Sequence, residues 1–307
     1  MNILLSFDDR FTFPTKVMLK SLILNNNCSI NIYVLYIALG EDSINSIKKL
    51  EDNSRVRIEF KKIEKETFDS FPTKSQWPLE AWIRLFAYKY LDETIDRILW
   101  IDGDMIINGS IEEFYNQDLG DNFFAAVEDY DAGKNPERHK QIGMPLDKIY
   151  VNSGFLLFNL KIIRNNSYEK DIFEYIENYE GKLNFPDQDV LNGVFYDKIK
   201  VSDSGFDYNC LTWCIDDSKN KEFVKNIKVI HYASNQKPWI KKYRYPCFST
   251  WWKYALKCGD KSIRKRYAIA CCYYCVRRLI FIIQRNIRVF RLFIRDKILN
   301  KFLALYK

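Results

Sequence analysis

The chain has 307 residues, enough for one large or two small domains, and its 47% hydrophobic and 16% aromatic content excludes an intrinsically disordered protein. Its formal charge of +7 conceals an asymmetry: residues 261–307 carry thirteen Lys and Arg against one acid, Asp296, a formal +12 that leaves −5 on residues 1–260. Eight cysteines lack a CxxC with matching downstream ligands, and only His139 and His231 could complete a zinc set, so the thiols are read as reduced and mostly packed.

The N-terminus has no basic leader and reaches Asp8 and Asp9 within nine residues, so a core strand is expected there and the chain is expected to stay in the cytosol. Strand-like runs at 2–7, 30–39 and 56–63 alternate with amphipathic helical runs at 14–25 and 43–50. This βαβαβ order makes an α/β sheet of nucleotide-binding topology the leading candidate. A helix is predicted over 78–91, with Pro78 in its first turn, and it feeds a strand at 97–101. Further strands are expected at 122–127, 150–160 and 228–232, and helices at 167–179 and 187–195.

The strand at 97–101 ends in Asp102-Gly103-Asp104. Carboxylates at i and i+2 of an extended strand point to one side, and the intervening glycine leaves room for a close ligand. In open α/β sheets, ligands gather beyond the carboxyl ends of the strands. Two oxygen donors there suit a hard divalent ion such as manganese or magnesium beside a phosphorylated ligand. A solvated polar turn explains the same three residues equally well, so this motif alone does not decide. A second segment adds to it: His231 comes directly after the strand-like run 228–230 and Lys237 lies six residues on, an imidazole for the metal and a point charge for phosphate.

Taken in order, Asp8-Asp9, Arg84 in Ala81-Trp82-Ile83-Arg84-Leu85, Asp102-Gly103-Asp104, Asn152-Ser153-Gly154, Asp187-Gln188-Asp189-Val190-Leu191-Asn192 and the segment from His231 to Trp239 form a set that resembles glycosyltransferase family 8. Its bacterial lipooligosaccharide α-galactosyltransferases and capsule or wall-polymer relatives are the members it looks like, over residues 1 to about 245.

The resemblance implies a retaining enzyme of GT-A fold, a Rossmann-like mixed sheet flanked by helices, that uses a UDP-sugar and manganese, with magnesium as the alternative. It implies Asp102, Asp104 and His231 as metal ligands, Asp8 at the uracil or ribose end, and Lys237 at the diphosphate. Gly103, Asn152 and Ser153 join the donor site, Arg84 pairs with the carboxylates and sugar, and Asp129, Asn152, Asp187 and Gln188 line the sugar. Gln188 matches the position beside the anomeric carbon. An amide is a poor nucleophile, which favours same-face attack by the acceptor with Gln188 stabilising positive charge, while Asp187 and Asp189 stay open as covalent candidates. Other readings of these residues remain: a helix N-cap for Asp187, a strand bulge at Asn152 and Gly154, a surface cation for Arg84. Ser234 and Arg10 stand where relatives often carry Gly and Asn.

In the basic segment, Arg277, Arg278, Arg285, Arg288, Arg291 and Arg295 fall within an arc of ~140° on a helical wheel, opposite Leu279, Ile282, Ile283, Ile287 and Phe290. Such a basic amphipathic helix suits an anionic bilayer surface, and its apolar runs are far below the ~18 residues of a spanning helix. No nucleic-acid motif accompanies it. The expected organisation is a catalytic domain at 1–255 and a basic, aromatic helical tail at 256–307, on the inner face of the cell membrane. The expected activity is hexose transfer, galactose or glucose, to a lipid-linked or surface-glycan acceptor. The rival readings are a DxD phosphatase of the haloacid dehalogenase type and a catalytically dead membrane scaffold.

Overall fold

The structure is a computed structural model and describes residues 1–52, 54–64, 79–130, 132–179, 183–202, 210–211, 226–233, 237–240, 247–259, 263–265, 267–269 and 282–285. Strand β1 (Asn2–Leu5), helix α1 (Thr12–Asn25), β2 (Ile30–Tyr36), α2 (Glu41–Lys48) and β3 (Val56–Lys62) form the expected βαβαβ unit, with β1, β2 and β3 parallel. Then come α3 (Leu79–Phe86), β4 (Arg97–Ile101), β5 (Met105–Ile107), α4 (Glu112–Asn116), β6 (Phe124–Glu128), α5 (Pro136–Gln141), β7 (Val151–Asn159), α6 (Leu160–Arg164), α7 (Tyr168–Asn178), α8 (Pro186–Phe195), β8 (Ile199–Val201), β9 (Cys210–Leu211), β10 (Val229–His231) and α9 (Phe248–Lys257).

Seven strands form one mixed sheet in the order β3-β2-β1-β4-β7-β6-β8, and β5, β10 and β9 form a second. Within the larger sheet β4 runs parallel to β1, while β7 runs antiparallel to both β4 and β6. That single reversal positions the site, because it brings the start of β7 to the edge where β4 and β6 end. The chain folds this way because its central strands are apolar on both faces. Leu4, Ile98, Trp100, Leu156 and Phe158 pack on one side with residues of α3, α7 and α8, and Ile3, Leu99, Ile101, Phe155 and Leu157 pack on the other with residues of α1 and α2. Helix α1 is buried on two sides: Met18, Leu19 and Leu22 face the large sheet, and Val17 joins Ile106, Ile230 and Trp251 in a third cluster between the small sheet and α9.

The predicted helix over 78–91 is shorter than expected: α3 ends at Phe86 and a 3-10 turn, Ala87–Tyr90, completes it, the tightening common at helix ends. The strand expected at 97–101 is β4, and the apolar residues after the acids, for which no strand was predicted, form β5 in the other sheet. No helix among the described residues is long and apolar enough to cross a membrane. The basic helix expected at 277–295 lies outside the described residues except at 282–285.

Candidate active site

Asp102, Gly103 and Asp104 form the turn that takes the chain from β4 into β5, closed by a hydrogen bond from Met105 N to Asp102 O at 3.2 Å. The two carboxylates therefore converge through a turn, and not by the strand alternation expected from their spacing. Gly103 has a packing reason of its own: a Cβ there would lie 2.4 Å from Thr15 Oγ1 on α1. β10 pairs antiparallel with β5, matching His231 to Met105, so the imidazole arrives beside the turn. Its Nε2 lies 3.2 Å from Asp104 Oδ1 and 3.8 Å from Asp102 Oδ2.

Asp102, Asp104 and His231 offer one ligand atom each, all within 4.8 Å of one another. Adjacent ligands of an octahedral ion with bonds of ~2.1 Å stand ~3 Å apart, so the separations to His231 suit neighbouring positions around one cation. The charge balance also fits. Asp102, Asp104 and the nearby Asp187 are opposed by the cations Arg84 and Lys237, which leaves carboxylate charge in excess. Burial alone would push the Asp104 carboxyl up, but His231 and the Lys237 ammonium, 2.6 Å from Oδ2, together hold it well below the usual carboxylate range. Asp104 is thus a carboxylate ready to bind a cation.

Arg84, from the last turn of α3, ties this cluster to the next. It pairs with Asp102 Oδ1 at 2.5 Å, with Asp187, and with Ser153 Oγ at 2.7 Å, and its guanidinium lies 4.7 Å from the centre of the Trp100 ring. Burial would lower the guanidinium pKa, but Asp102 and Asp187 more than reverse this, so Arg84 stays charged. It is a partly buried bridge and not the surface cation that its helix position also allowed. Trp100 Nε1 donates to the same Asp102 oxygen at 2.7 Å.

The start of β7 bulges. Ala126 pairs with Leu156, but Glu128 pairs with Val151, so the additional residues lie on β7, where Asn152, Ser153 and Gly154 turn toward the site. Gly154 leaves the cluster its space: a Cβ there would stand 2.6 Å from Asp102 Oδ2, 2.8 Å from His231 Cε1 and 2.9 Å from Met105 Cε. Helix α8 delivers Asp187, Gln188 and Asp189 to the same edge. Its N-cap is Phe185 with no side-chain capping bond, so the alternative reading of Asp187 as the cap is not found; its carboxylate accepts from Arg84 and from Ser153 Oγ at 3.0 Å.

Gln188 is held at both ends. Oε1 accepts from Ser153 N at 2.9 Å, while Nε2 donates to Asp129 Oδ2 at 3.0 Å and to Tyr150 Oη at 3.3 Å. Asp129 also accepts from Asn152 Nδ2 at 3.0 Å and Ala132 N at 3.0 Å. Asp189 is 1% exposed, and four donors occupy its oxygens: Tyr150 Oη at 2.6 Å, Arg138 at 3.2 Å, and the backbone N–H groups of Asn184 and Phe185 at 2.9 Å each. A carboxylate so enclosed is a structural anchor, and it is set apart from the open covalent role considered for it.

Asp8 lies beyond β1, at the same sheet edge, but outside this network. Its carboxylate caps the following turn through Arg10 N at 2.9 Å and Phe11 N at 3.2 Å and pairs with the Arg10 side chain at 2.5 Å. Lys237 does join the cluster, through Asp104 and the Tyr232 carbonyl at 2.6 Å. Ser234 falls outside the described residues. Sequence reasoning missed Trp100, Tyr150, Arg138 and the spatial role of Gly154. A tryptophan two residues before a DxD and a glycine in an otherwise bulky strand are signals that could have found two of them.

The mixed sheet, with carboxylates and an imidazole gathered at its ligand-binding edge, defines an α/β enzyme of GT-A fold. The family model described as glycosyl transferase family 8 matches residues 2–242, and the chain belongs to that family. It is 25% identical over 248 residues to a lipopolysaccharide 1,2-glucosyltransferase of Escherichia coli, spanning 78% of this chain and 73% of that one. Against a lipopolysaccharide 1,3-galactosyltransferase of Salmonella typhimurium it is 25% identical over 251 residues, 80% and 74% of the two chains. Among solved structures, the galactosyltransferase LgtC in complex with donor and acceptor sugar analogues superposes with a TM-score of 0.73 at 24% identity, covering 87% of this chain and 100% of that one.

Proposed function

We propose that this protein transfers a hexose, galactose or glucose, from a UDP-sugar to a lipid-linked or surface-glycan acceptor with retention of configuration. The observation that carries the reading is the meeting of Asp102, Asp104 and His231 with the Arg84–Asp187 pair and Gln188 at the ligand edge of the sheet. Asp102, Asp104 and His231 would hold manganese, or magnesium, which when bound neutralises charge on the diphosphate of the departing UDP. The glucosyl and galactosyl transfers named for the relatives favour a hexose, and their lipopolysaccharide acceptors favour a surface glycan.

The residues of the chain have complementary tasks in this reading. Lys237 exchanges its contact with Asp104 for the incoming diphosphate, and Asp8 meets the uracil or ribose end. Arg84 keeps Asp102 and Asp187 from repelling one another and orients both. Asp187, Asn152, Ser153 and Asp129 shape the sugar pocket, and the Gln188 carbonyl stabilises positive charge at the sugar ring as the bond to phosphate lengthens. With Asp189 enclosed by its four donors and Asp187 engaged by Arg84 and Ser153 Oγ, attack by the acceptor hydroxyl on the face UDP leaves, with its proton passing to the leaving phosphate, is preferred to a covalent intermediate. Family membership favours this reading over a haloacid-dehalogenase phosphatase or a dead scaffold.

Residues 261–307, with their formal +12, are proposed to hold the enzyme on an anionic inner membrane surface where a lipid-linked acceptor is presented. The test is a panel of UDP- and GDP-sugars incubated with the full chain and with a chain lacking residues 261–307, each with manganese or with EDTA. One UDP-hexose is hydrolysed by both forms only with manganese, releasing the sugar first as the donor's own anomer, and only the full chain sediments with anionic vesicles. Absence of metal-dependent turnover of every donor by folded protein contradicts the transferase reading.

A further inference from the structure

We infer that Tyr150 is a positioning residue for Gln188, the inner link of a hydrogen-bond chain from Arg138 through Asp189 that, together with Ser153 N and Asp129, holds the Gln188 amide with its oxygen toward the sugar. The inference rests on the role given to Gln188 above. Tyr150 is fully buried just before β7, and its single hydroxyl proton is committed to Asp189 Oδ1 at 2.6 Å. Burial pushes the phenol pKa up and the Asp189 charge pushes it further, so the hydroxyl remains a donor. Its lone pair then faces Gln188 Nε2 at 3.3 Å, and the other amide hydrogen goes to Asp129 Oδ2 at 3.0 Å.

The partners leave one orientation. Ser153 N can only donate and the Asp129 carboxylate can only accept, so Oε1 turns to Ser153 and the side of Arg84 and Asp187, and the NH₂ turns away. An amide whose two hydrogens bond to a carboxylate and to a phenol polarised by a second carboxylate carries more negative charge on its oxygen. That is the charge a developing cation at the sugar ring requires. Asp189 can serve as the fixed end because Arg138 and the N–H groups of Asn184 and Phe185 hold it in place. Arg138 is itself seated over the Phe185 ring, 4.6 Å from its centre.

The test is steady-state turnover of the UDP-hexose by the full chain with Tyr150→Phe, with Gln188→Ala, and with both. Tyr150→Phe keeps the ring and removes only the hydroxyl. The expected result is a kcat lower by about 10- to 100-fold, with donor KM within about threefold, and no further loss when Tyr150→Phe is added to Gln188→Ala. An unchanged kcat, or the same loss in the presence and absence of the Gln188 side chain, overturns the inference, since a merely structural hydroxyl would act on both backgrounds alike. If Tyr150→Phe does not fold, Arg138→Met carries the same comparison, with a smaller loss that again vanishes beside Gln188→Ala. A wild-type chain that turns over no donor overturns the transferase reading and this inference together. An active wild type with an unaffected Tyr150→Phe overturns only the inference.

Discussion

At the scale of single residues, the site depends on side chains that are absent as much as on those present. Gly154 is the sharpest case, because a methyl group there meets both Asp102 and His231 and its backbone is not in the left-handed region. Gly154→Ala is therefore expected to weaken manganese binding at least ~10-fold while the metal-free protein melts within a few degrees of wild type, since the added carbon displaces ligands without changing backbone strain. Calorimetric titration with manganese and a thermal scan check the two halves, and unaltered metal affinity would mean that the cluster has slack the geometry does not display. Asp102, Asp104 and His231 were legible in the sequence because the two acids stand just beyond the end of β4 and the imidazole closes β10. Gly154 was legible only as part of a motif: its neighbours come from β4, β5 and β10, and nothing local announces them. The alternative reading of Asp187 as a helix N-cap falls because the helix already begins at Pro186, which leaves the Asp187 carboxylate to Arg84.

Among the elements, the alignment of α8 with β7 matters most, since it sets Gln188 against Ser153. Asn192, fully buried on α8, acts as a substitute strand: its Oδ1 accepts from Val151 N at 2.7 Å and its Nδ2 donates to Val151 O at 2.9 Å. Asn192→Ala leaves both backbone groups buried without a partner, and a loss on the order of 1–3 kcal/mol is expected in urea unfolding. A midpoint equal to wild type would show that water or a shifted helix replaces the clamp. The βαβαβ opening was readable because short apolar strand runs alternate with longer helical runs, although only α2 carries a clear one-sided apolar face and α1, buried on two sides, does not. β5 was not, because its three residues continue the apolar pattern of β4 and only the turn at Asp102–Asp104 separates them. Likewise, the reversal of β7 leaves no trace in its own residues, which are buried on both faces whichever way the strand runs.

At the scale of the whole molecule, a slightly acidic body, residues 1–260, is joined to a strongly basic segment, residues 261–307. The body's family and fold could be anticipated from an ordered set of motifs; the partner of the basic segment could be anticipated only from charge and amphipathicity, and most of that segment lies outside the described residues. The central claim concerns the body: that Asp102, Asp104 and His231 form a divalent-cation site that works together with a nucleoside diphosphate. Electron paramagnetic resonance of free manganese, titrated with the full chain and then with UDP, measures this directly in wild type and Asp104→Asn. The expected result is one manganese per wild-type chain, bound more tightly when UDP is present, and loss of both effects in a folded Asp104→Asn protein. Wild-type protein that binds no manganese with or without UDP, or Asp104→Asn that binds it as wild type does, would contradict the account.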